Sequence, residues 1–402
     1  MSRVWRTWSV LVLFALGTSL ITPLIPLYQD RLGFGDTVVT LFLGCYVVAL
    51  VPSMLSFGQL SDRVGRKGVL LVAIATLALA QGLLITEPPL WGLLVARGIQ
   101  GLAAGAFFGT CTAFLVDAAP LGRRGVVSVL GSISVRLGLG LGPGIGGLIA
   151  EYSNAPLRLP FELHLVALAA AAALVASLPE TVTERRWRPL TLRLEVPAAE
   201  RAVFWRVLVP SGALFSLFDG VALSLIPVFL VRTLHVDNYA LVGAAGFLVL
   251  VSGAASQVLL PRLSPPRAIG WGLAAASATS LGVVASAPAR SAPLALVSVA
   301  LTGAAAGLVF KGGVDLCTQI APIEDRGKLI SAYYVACYLG GFSVPLLVVG
   351  ILSDLVGLTV ALACLSGAAA LGAAWTWAVG LRSLAGLEPA PREVPAAPWP
   401  SE

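Results

Sequence analysis

The sequence predicts an all-α membrane protein of twelve transmembrane helices, arranged as two six-helix bundles that repeat one another. Three observations predict it. Apolar runs long enough to cross a bilayer recur along the 402-residue chain, separated by short polar breaks. Basic residues gather in alternate breaks, as they do when one side of a membrane protein faces the cytoplasm. One half of the chain can also be laid on the other at a constant offset.

The apolar runs come first. With 57% hydrophobic and 11% charged residues and a mean hydropathy of +0.91, the chain is far from the roughly 25% charged of a soluble domain, so its outer surface is read as facing lipid. Arg3 and Arg6 followed by an apolar run to Leu27 imitate a secretory signal. No A-x-A-like site follows, and Pro23 and Pro26 fall inside a run of spanning length, so it is read as the first span. The twelve spans are expected near 8–28, 38–58, 68–86, 90–112, 126–150, 161–178, 206–230, 239–260, 268–286, 293–317, 329–352 and 358–381. That gives an N-terminal bundle over 1–178, a polar linker over 179–205, a C-terminal bundle over 206–381 and a tail over 382–402.

The charge pattern orients these spans. Nineteen of the 26 Lys and Arg, among them Arg63, Arg66, Lys67, Arg123, Arg124, Arg185, Arg326 and Lys328, flank one face, and only Arg31, Arg158, Arg232 and Arg290 flank the other. The expectation is a multi-pass protein of the inner (plasma) membrane with both termini cytoplasmic. The net charge of +6 therefore marks orientation, and no nucleic-acid partner is expected. The five cysteines, Cys45, Cys111, Cys317, Cys337 and Cys364, are scattered through apolar segments without a C-x-x-C or a histidine cluster. They read as small hydrophobes, and neither a metal nor any other cofactor is expected.

The repeat comes third. Leu94 falls on Leu296, Gly101 on Gly303, Gly105 on Gly307, Phe108 on Phe310, Pro120 on Pro322, Arg124 on Arg326, Gly138 on Gly340 and Pro143 on Pro345, always 202 residues apart. A duplicated six-span unit in parallel orientation is a transporter architecture, with the binding site between the halves.

One stretch between spans two and three stands apart: Gly58, Gln59, Leu60, Ser61, Asp62, Arg63, Val64, Gly65, Arg66 and Lys67 form a tight basic hairpin. Asp62 lies at the C-terminal end of a helix, where the macrodipole is already negative and a carboxylate is disfavoured. Its stabilisation must come from Arg63, Arg66 or Lys67, or from the positive N-terminus of another helix.

With this hairpin, twelve spans and two halves, the chain resembles the major facilitator superfamily over essentially its whole length, and in particular the twelve-span drug:proton antiporter branch. Gly58, Asp62, Arg63, Gly65, Arg66 and Lys67 match the family signature at every defined position. Arg97-x-x-Gln100-Gly101 is similar to a second family motif, and Asp117-x-x-Pro120-x-x-x-Arg124-Gly125 to a third. Gly138-x-x-x-Gly142-Pro143-x-x-Gly146-Gly147 resembles the fifth-span motif of proton-coupled exporters, with Val129 where an upstream glycine is usual; Leu178-Pro179-Glu180-Thr181 closes span six in the same style. In the second half the hairpin signature degenerates to Pro261-Arg262-Leu263-Ser264-Pro265-Pro266-Arg267 and has no aspartate. Gly142 to Gly147 also spells a dinucleotide fingerprint, but no strand precedes it, and the glycines read instead as a face for close helix packing with Pro143 bending the span.

Charges inside spans are costly, about 2.5–3.5 kcal/mol each at a helix centre, and so mark either function or pairing. Asp219, in mid-span seven, faces either a cavity or a buried basic partner; it is the first candidate for a proton-carrying carboxylate, because a dry site disfavours its charged form. Arg97 and Asp315 are further proton-coupling candidates, and Arg136 and Lys311 are candidate cavity charges. Lys311 and Asp315 share a helix face four residues apart and can also satisfy one another. Glu162 and His164 are expected near the outer face, as gate residues or as solvated span ends, and Trp5, Trp8, Trp91, Trp375 and Trp377 as interface anchors.

The resemblance implies a monomeric secondary active transporter, not an enzyme, in which the halves rock about a cavity lined by spans one, four, seven and ten. It would move a small molecule, in exchange for protons, outward as a multidrug or metabolite exporter; a proton-coupled importer or metabolite carrier, or a membrane sensor on the same scaffold, are the alternatives. No catalytic group is expected, and the proton gradient serves as the energy source. The resemblance also implies that Asp62 meets the N-terminus of span eleven near Lys328 to Ser331 when the cytoplasmic side closes, with Asp117 partnering Arg63 or Arg66.

Overall fold

In the computed structural model, residues 2–182, 196–260, 263–323 and 325–380 are described. Among the described residues, twelve helices are long and apolar enough to cross a membrane: α1 Arg3–Leu32, α2 Asp36–Val64, α3 Arg66–Ile85, α4 Leu90–Asp117, α5 Leu130–Tyr152, α6 Leu159–Ala176, α7 Ala198–Thr233, α8 Tyr239–Leu259, α9 Pro265–Ala289, α10 Ala292–Ile320, α11 Arg326–Val356 and α12 Leu358–Val379. No strand is present among the described residues. Part of the expected linker, 183–195, the tail 382–402, and Pro261 and Arg262 of the degenerate hairpin lie outside them.

Two boundaries differ instructively from expectation. The second span does not end near residue 58 but runs on to Val64, so most of the basic hairpin is helix and its loop is the single residue Gly65. Gly65 has φ +105°, which side-chain-bearing residues rarely adopt. Span seven begins at Ala198, inside the expected linker, and carries π-helical turns at Phe204–Leu208 and Phe229–Thr233.

The internal repeat is visible in the packing. A Cβ on Gly101 would lie 3.0 Å from Tyr46 Cα of α2, and one on its counterpart Gly303 would lie 2.6 Å from Val249 Cα of α8. Gly138 of α5 presses on Ala15 of α1, and Gly340 of α11 presses on Ala213 of α7, with hypothetical Cβ contacts of 2.6 and 2.8 Å. Matched glycines thus bring matched helix pairs together, the mode of association expected where lipid supplies no hydrophobic drive between helices.

The halves meet along α5 with α8 and along α2 with α11. The fifth-span motif is a packing face, as the glycine spacing predicts. Gly147 meets Gly243 of α8, where an added Cβ would lie 2.8 Å from Gly243 Cα, and Pro143 packs its ring on Gly246. Between Arg326–Gly341 and Val344–Val356, α11 is interrupted at Phe342 and Ser343, just before Pro345, which has no N–H to continue the ladder.

The two faces of the bundle differ. On the face away from the hairpin, here the far face, cross-half bonds tie the ends of α11 to α2, α5 to α8 and α7 to α1. On the hairpin face the halves stand apart around the mouth of a cavity.

Candidate functional site

The cavity has a volume of about 1120 Å³ and lies between the two bundles. Gly58, Gln59, Arg66 and Asp117 of the first half and Gly327, Lys328 and Ser331 of the second line its mouth. Its walls come from α1, α4, α7 and α10, as the resemblance implies, and also from α2, α5, α8 and α11. Phe42, Tyr46, Phe108, Phe215, Phe310, Tyr334, Tyr338 and Phe342 give it an aromatic lining, apart from a few polar groups. A large, mostly apolar concavity with a small number of polar groups is the usual form of a small-molecule site.

Two of the sequence candidates meet in its wall. Arg136 of α5 donates to Asp219 Oδ2 of α7 at 2.5 Å, so this buried ion pair joins the two bundles. The Arg136 guanidinium also lies 5.3 Å from the Phe215 ring centroid and 5.9 Å from that of Phe310. Asp219 Oδ1 and Arg136 Nε are buried without hydrogen-bond partners. The pair is therefore incompletely satisfied, and the orphaned Oδ1 is chemically suited to carry a proton. Of the two alternatives for Asp219, cavity or basic partner, the structure shows both.

Arg97 is placed differently. It donates to Phe42 O at 3.2 Å, Thr18 O at 2.9 Å and Gln100 Oε1 at 2.7 Å, and it stands 4.9 Å over the Tyr46 ring. It fastens α1, α2 and α4 around the cavity through neutral acceptors, and among the described residues no carboxylate pairs with it. Lys311 and Asp315 bond to one another at 2.5 Å and do not line the cavity, which corrects the expectation of Lys311 as a cavity charge. Phe310 takes that wall; one residue further along a helix turns the side chain by about 100°.

The hairpin is held by its own half. Arg66 pairs with Asp117 at the end of α4 and, at 3.3 Å, with Asp62. Asp62 remains largely exposed at the mouth and does not cap α11 while the mouth is open. Glu180, just past α6, accepts from the backbone N–H groups of Arg66 at 3.1 Å and Lys67 at 3.0 Å, and so caps α3. Lys67 Nζ returns the contact, donating to Ala176 O, the last carbonyl of α6, at 2.6 Å and to Leu178 O just beyond it at 3.0 Å. Burial alone raises the Glu180 pKa, but the N–H groups of Val182, Lys67, Thr181 and Arg66 outweigh it and hold the carboxyl below its usual range.

One outer-face expectation is corrected. His164 is buried, within 3.0 Å of Gln81 and 2.9 Å of Leu13 O, because it falls on the face of α6 that packs on α1 and α3. At the other end of the bundle, the Trp8 indole N–H donates to Ser134 of α5 at 2.5 Å. Sequence reasoning missed the cross-half carboxylates Glu151 and Asp354. The signal that singled out Asp62, an acid at the C-terminal end of a span, marks both of them as well.

Residues 7–345 match the family profile of the Major Facilitator Superfamily. The chain belongs to the major facilitator superfamily. Among curated relatives, this superfamily member is 29% identical over 171 residues to Multidrug resistance protein 1 of Bacillus subtilis (strain 168), covering 42% of each chain. It is 26% identical over 149 residues to Quinolone resistance protein NorA of Staphylococcus aureus (strain MRSA252), covering 37% of this chain and 38% of that one. The matches thus span about two fifths of the length of these relatives. Among solved structures, a bacterial homologue of the human lysosomal transporter Spinster, inward-facing and unoccupied, superposes with a TM-score of 0.74 at 14% identity over 95% of this chain and 97% of that one. The peptide transporter POT in complex with sulfate superposes with a TM-score of 0.77 at 13% identity, over 95% and 94%. These likenesses establish the superfamily fold.

Proposed function

We propose that the protein is a secondary active transporter that exports small, largely apolar molecules in exchange for protons. The observation that carries this reading is the Arg136–Asp219 pair, which joins the two bundles in the wall of a cavity open on one face and closed on the other. Protonating Asp219 removes the charge that holds Arg136, so proton binding and the relation of the halves are one event. The excess of basic residues on the hairpin face orients it to the cytoplasm, and the structure is then the inward-open conformer. The matched stretches of two drug-resistance proteins support efflux as the direction. Substrate enters from the cytoplasm or the inner leaflet, settles among the aromatic side chains, and is released after the halves rock.

The test is efflux from proteoliposomes loaded with a panel of fluorescent amphiphiles, with and without an imposed pH gradient. Transport should accelerate with the gradient, and Asp219→Asn should abolish that acceleration. Equal rates with and without the gradient in the wild-type protein would remove proton coupling. An Asp219→Asn variant that still responds to the gradient would remove Asp219 as the proton site.

A further inference from the structure

On the far face two carboxylates do the same thing in the two halves. Asp354, near the end of α11, accepts from the first backbone N–H groups of α2, Asp36 N at 2.7 Å and Thr37 N at 2.9 Å. Glu151, near the end of α5, accepts from Tyr239 N, the first N–H of α8, at 2.7 Å. Thr37 and Tyr239 are 202 residues apart, the offset of the internal repeat, and α5 and α11 are repeat partners as well. Each carboxylate stands on one bundle and caps a helix of the other. Each also sits where its own helix disfavours it, at a negative dipole end, and is stabilised by the positive end of its partner.

The surroundings of Asp354 are built for close approach. Gly350 lies one turn earlier, where a Cβ would come 2.9 Å from Asp36 O, and a Cβ on Gly35 would come 2.7 Å from Asp354 Oδ1. The buried Asp36 carboxylate accepts from Ser353 Oγ of α11 at 2.5 Å and from Gln29 Nε2 at 3.0 Å. The segment that packs here, Val344–Val356, is the one set off by the break at Phe342 and Ser343, so it can stay on α2 while Arg326–Gly341 moves.

We infer that Asp354 and Glu151 are a paired far-face latch, positioning residues that hold the cavity open toward the hairpin face and must release the N-termini of α2 and α8 before it opens the other way. The arrangement mirrors the hairpin. Asp62 ends the same α2 whose beginning Asp354 caps, and the resemblance assigns it to the beginning of the same α11 whose end carries Asp354. One pair of antiparallel helices would therefore exchange one carboxylate cap for another as the halves rock. The repeat is unequal in this respect: the far face has two such carboxylates, whereas the position equivalent to Asp62 in the second half is Ser264. The count favours the conformer seen here.

The latch depends on alternating access alone, so its test uses neither substrate nor a pH gradient, and a failure of proton coupling leaves it standing. In the full-length protein with its five cysteines replaced, a single Leu223→Cys reporter in the cavity wall is alkylated by an impermeant maleimide supplied only from the far face, in proteoliposomes. The rate then reports the population open to that face. Asp354→Asn and Glu151→Gln should each raise it roughly three- to tenfold, and the double variant by about the product, since the two sites are separate. Asp62→Asn should lower it. Melting midpoints close to the parent's distinguish a shifted equilibrium from a loosened fold. An unchanged rate in the double variant overturns the latch, and so does a rise that appears only with a collapsed melting midpoint.

Discussion

Arg136 on α5 and Asp219 on α7 stand 2.5 Å apart, the one buried ion pair between the two bundles among the described residues, and each leaves one polar atom without a partner. Removing one member of such a pair strands the other as an uncompensated buried charge, at a cost of about 3–5 kcal/mol, whereas removing both together costs far less. Asp219→Asn and Arg136→Gln should each lower the melting midpoint in detergent markedly, and the double variant should recover most of the loss. Additive losses would show that the two side chains act independently and that their proximity is incidental.

The glycines make a second, purely steric prediction. An added Cβ at Gly147 meets the backbone of Tyr239 and Gly243 across the seam between the bundles, with no flexible side chain to yield. Overpacking of this kind costs about 1–3 kcal/mol or more. Gly147→Val should therefore destabilise the protein and impair transport. Gly98→Ala, in a helix position with nothing within 4 Å, should be neutral to slightly stabilising. Thermal unfolding of the two variants side by side checks the contrast; a tolerated valine at residue 147 would mean that α5 and α8 are not held this close.

How much of this could be read from the sequence follows from the range of each interaction. The spans, the repeat and the glycine face of α5 depend on local hydrophobicity and spacing, and they are legible. Asp62 stands out because a carboxylate at a helix C-terminus is locally wrong. The same local signal is present at Glu151 and Asp354, but their partners Tyr239 and Asp36 lie 88 and 318 residues away, and no spacing rule joins such ends. Lys311 departs from expectation by a rotation: whether Phe310 or Lys311 faces the cavity depends on how α10 turns in its bundle. His164 reads as interfacial because it begins a span, yet its helix face is covered by α1 and α3, which only packing reveals.

Glu180 gives a prediction with a definite pH sign. Its carboxyl is held below the ordinary Glu range, so its capping of α3 is fully present above the unfolded value of about 4.5 and is lost as pH falls through the lower folded value. Partial exposure limits the contribution to about 1 kcal/mol. Glu180→Gln should reduce stability at pH 7 by roughly that amount, and the difference from wild type should shrink as the pH is lowered below 4. The difference should be constant between pH 5 and 8. A difference that grows on acidification, or one that varies between pH 5 and 8, would contradict the capping geometry.

The hairpin at the mouth supplies the last test. Arg66 is shared: Asp117 holds it through a short contact, and Asp62, largely exposed, reaches it at 3.3 Å. Exposed i,i+4 pairs contribute only about 0.3–0.5 kcal/mol, so Asp62 is weakly held and free to leave, while Asp117 keeps Arg66 in place. If closing the mouth transfers Asp62 to the N-terminus of α11, Asp62→Asn should leave the open form intact and penalise the closed one. Asp117→Asn should instead loosen the hairpin in both conformers. A cysteine at Ala113, in the cavity wall on α4, then reacts with an impermeant reagent supplied from the hairpin face. Its rate should rise in Asp62→Asn, with the melting midpoint of the open form unchanged. In Asp117→Asn the midpoint should fall, because Arg66 loses its principal partner and the α2–α3 turn loses its tie to α4. Identical behaviour of the two variants would mean that Asp62 is simply another strut of the hairpin, and that the mouth closes by some contact other than this carboxylate.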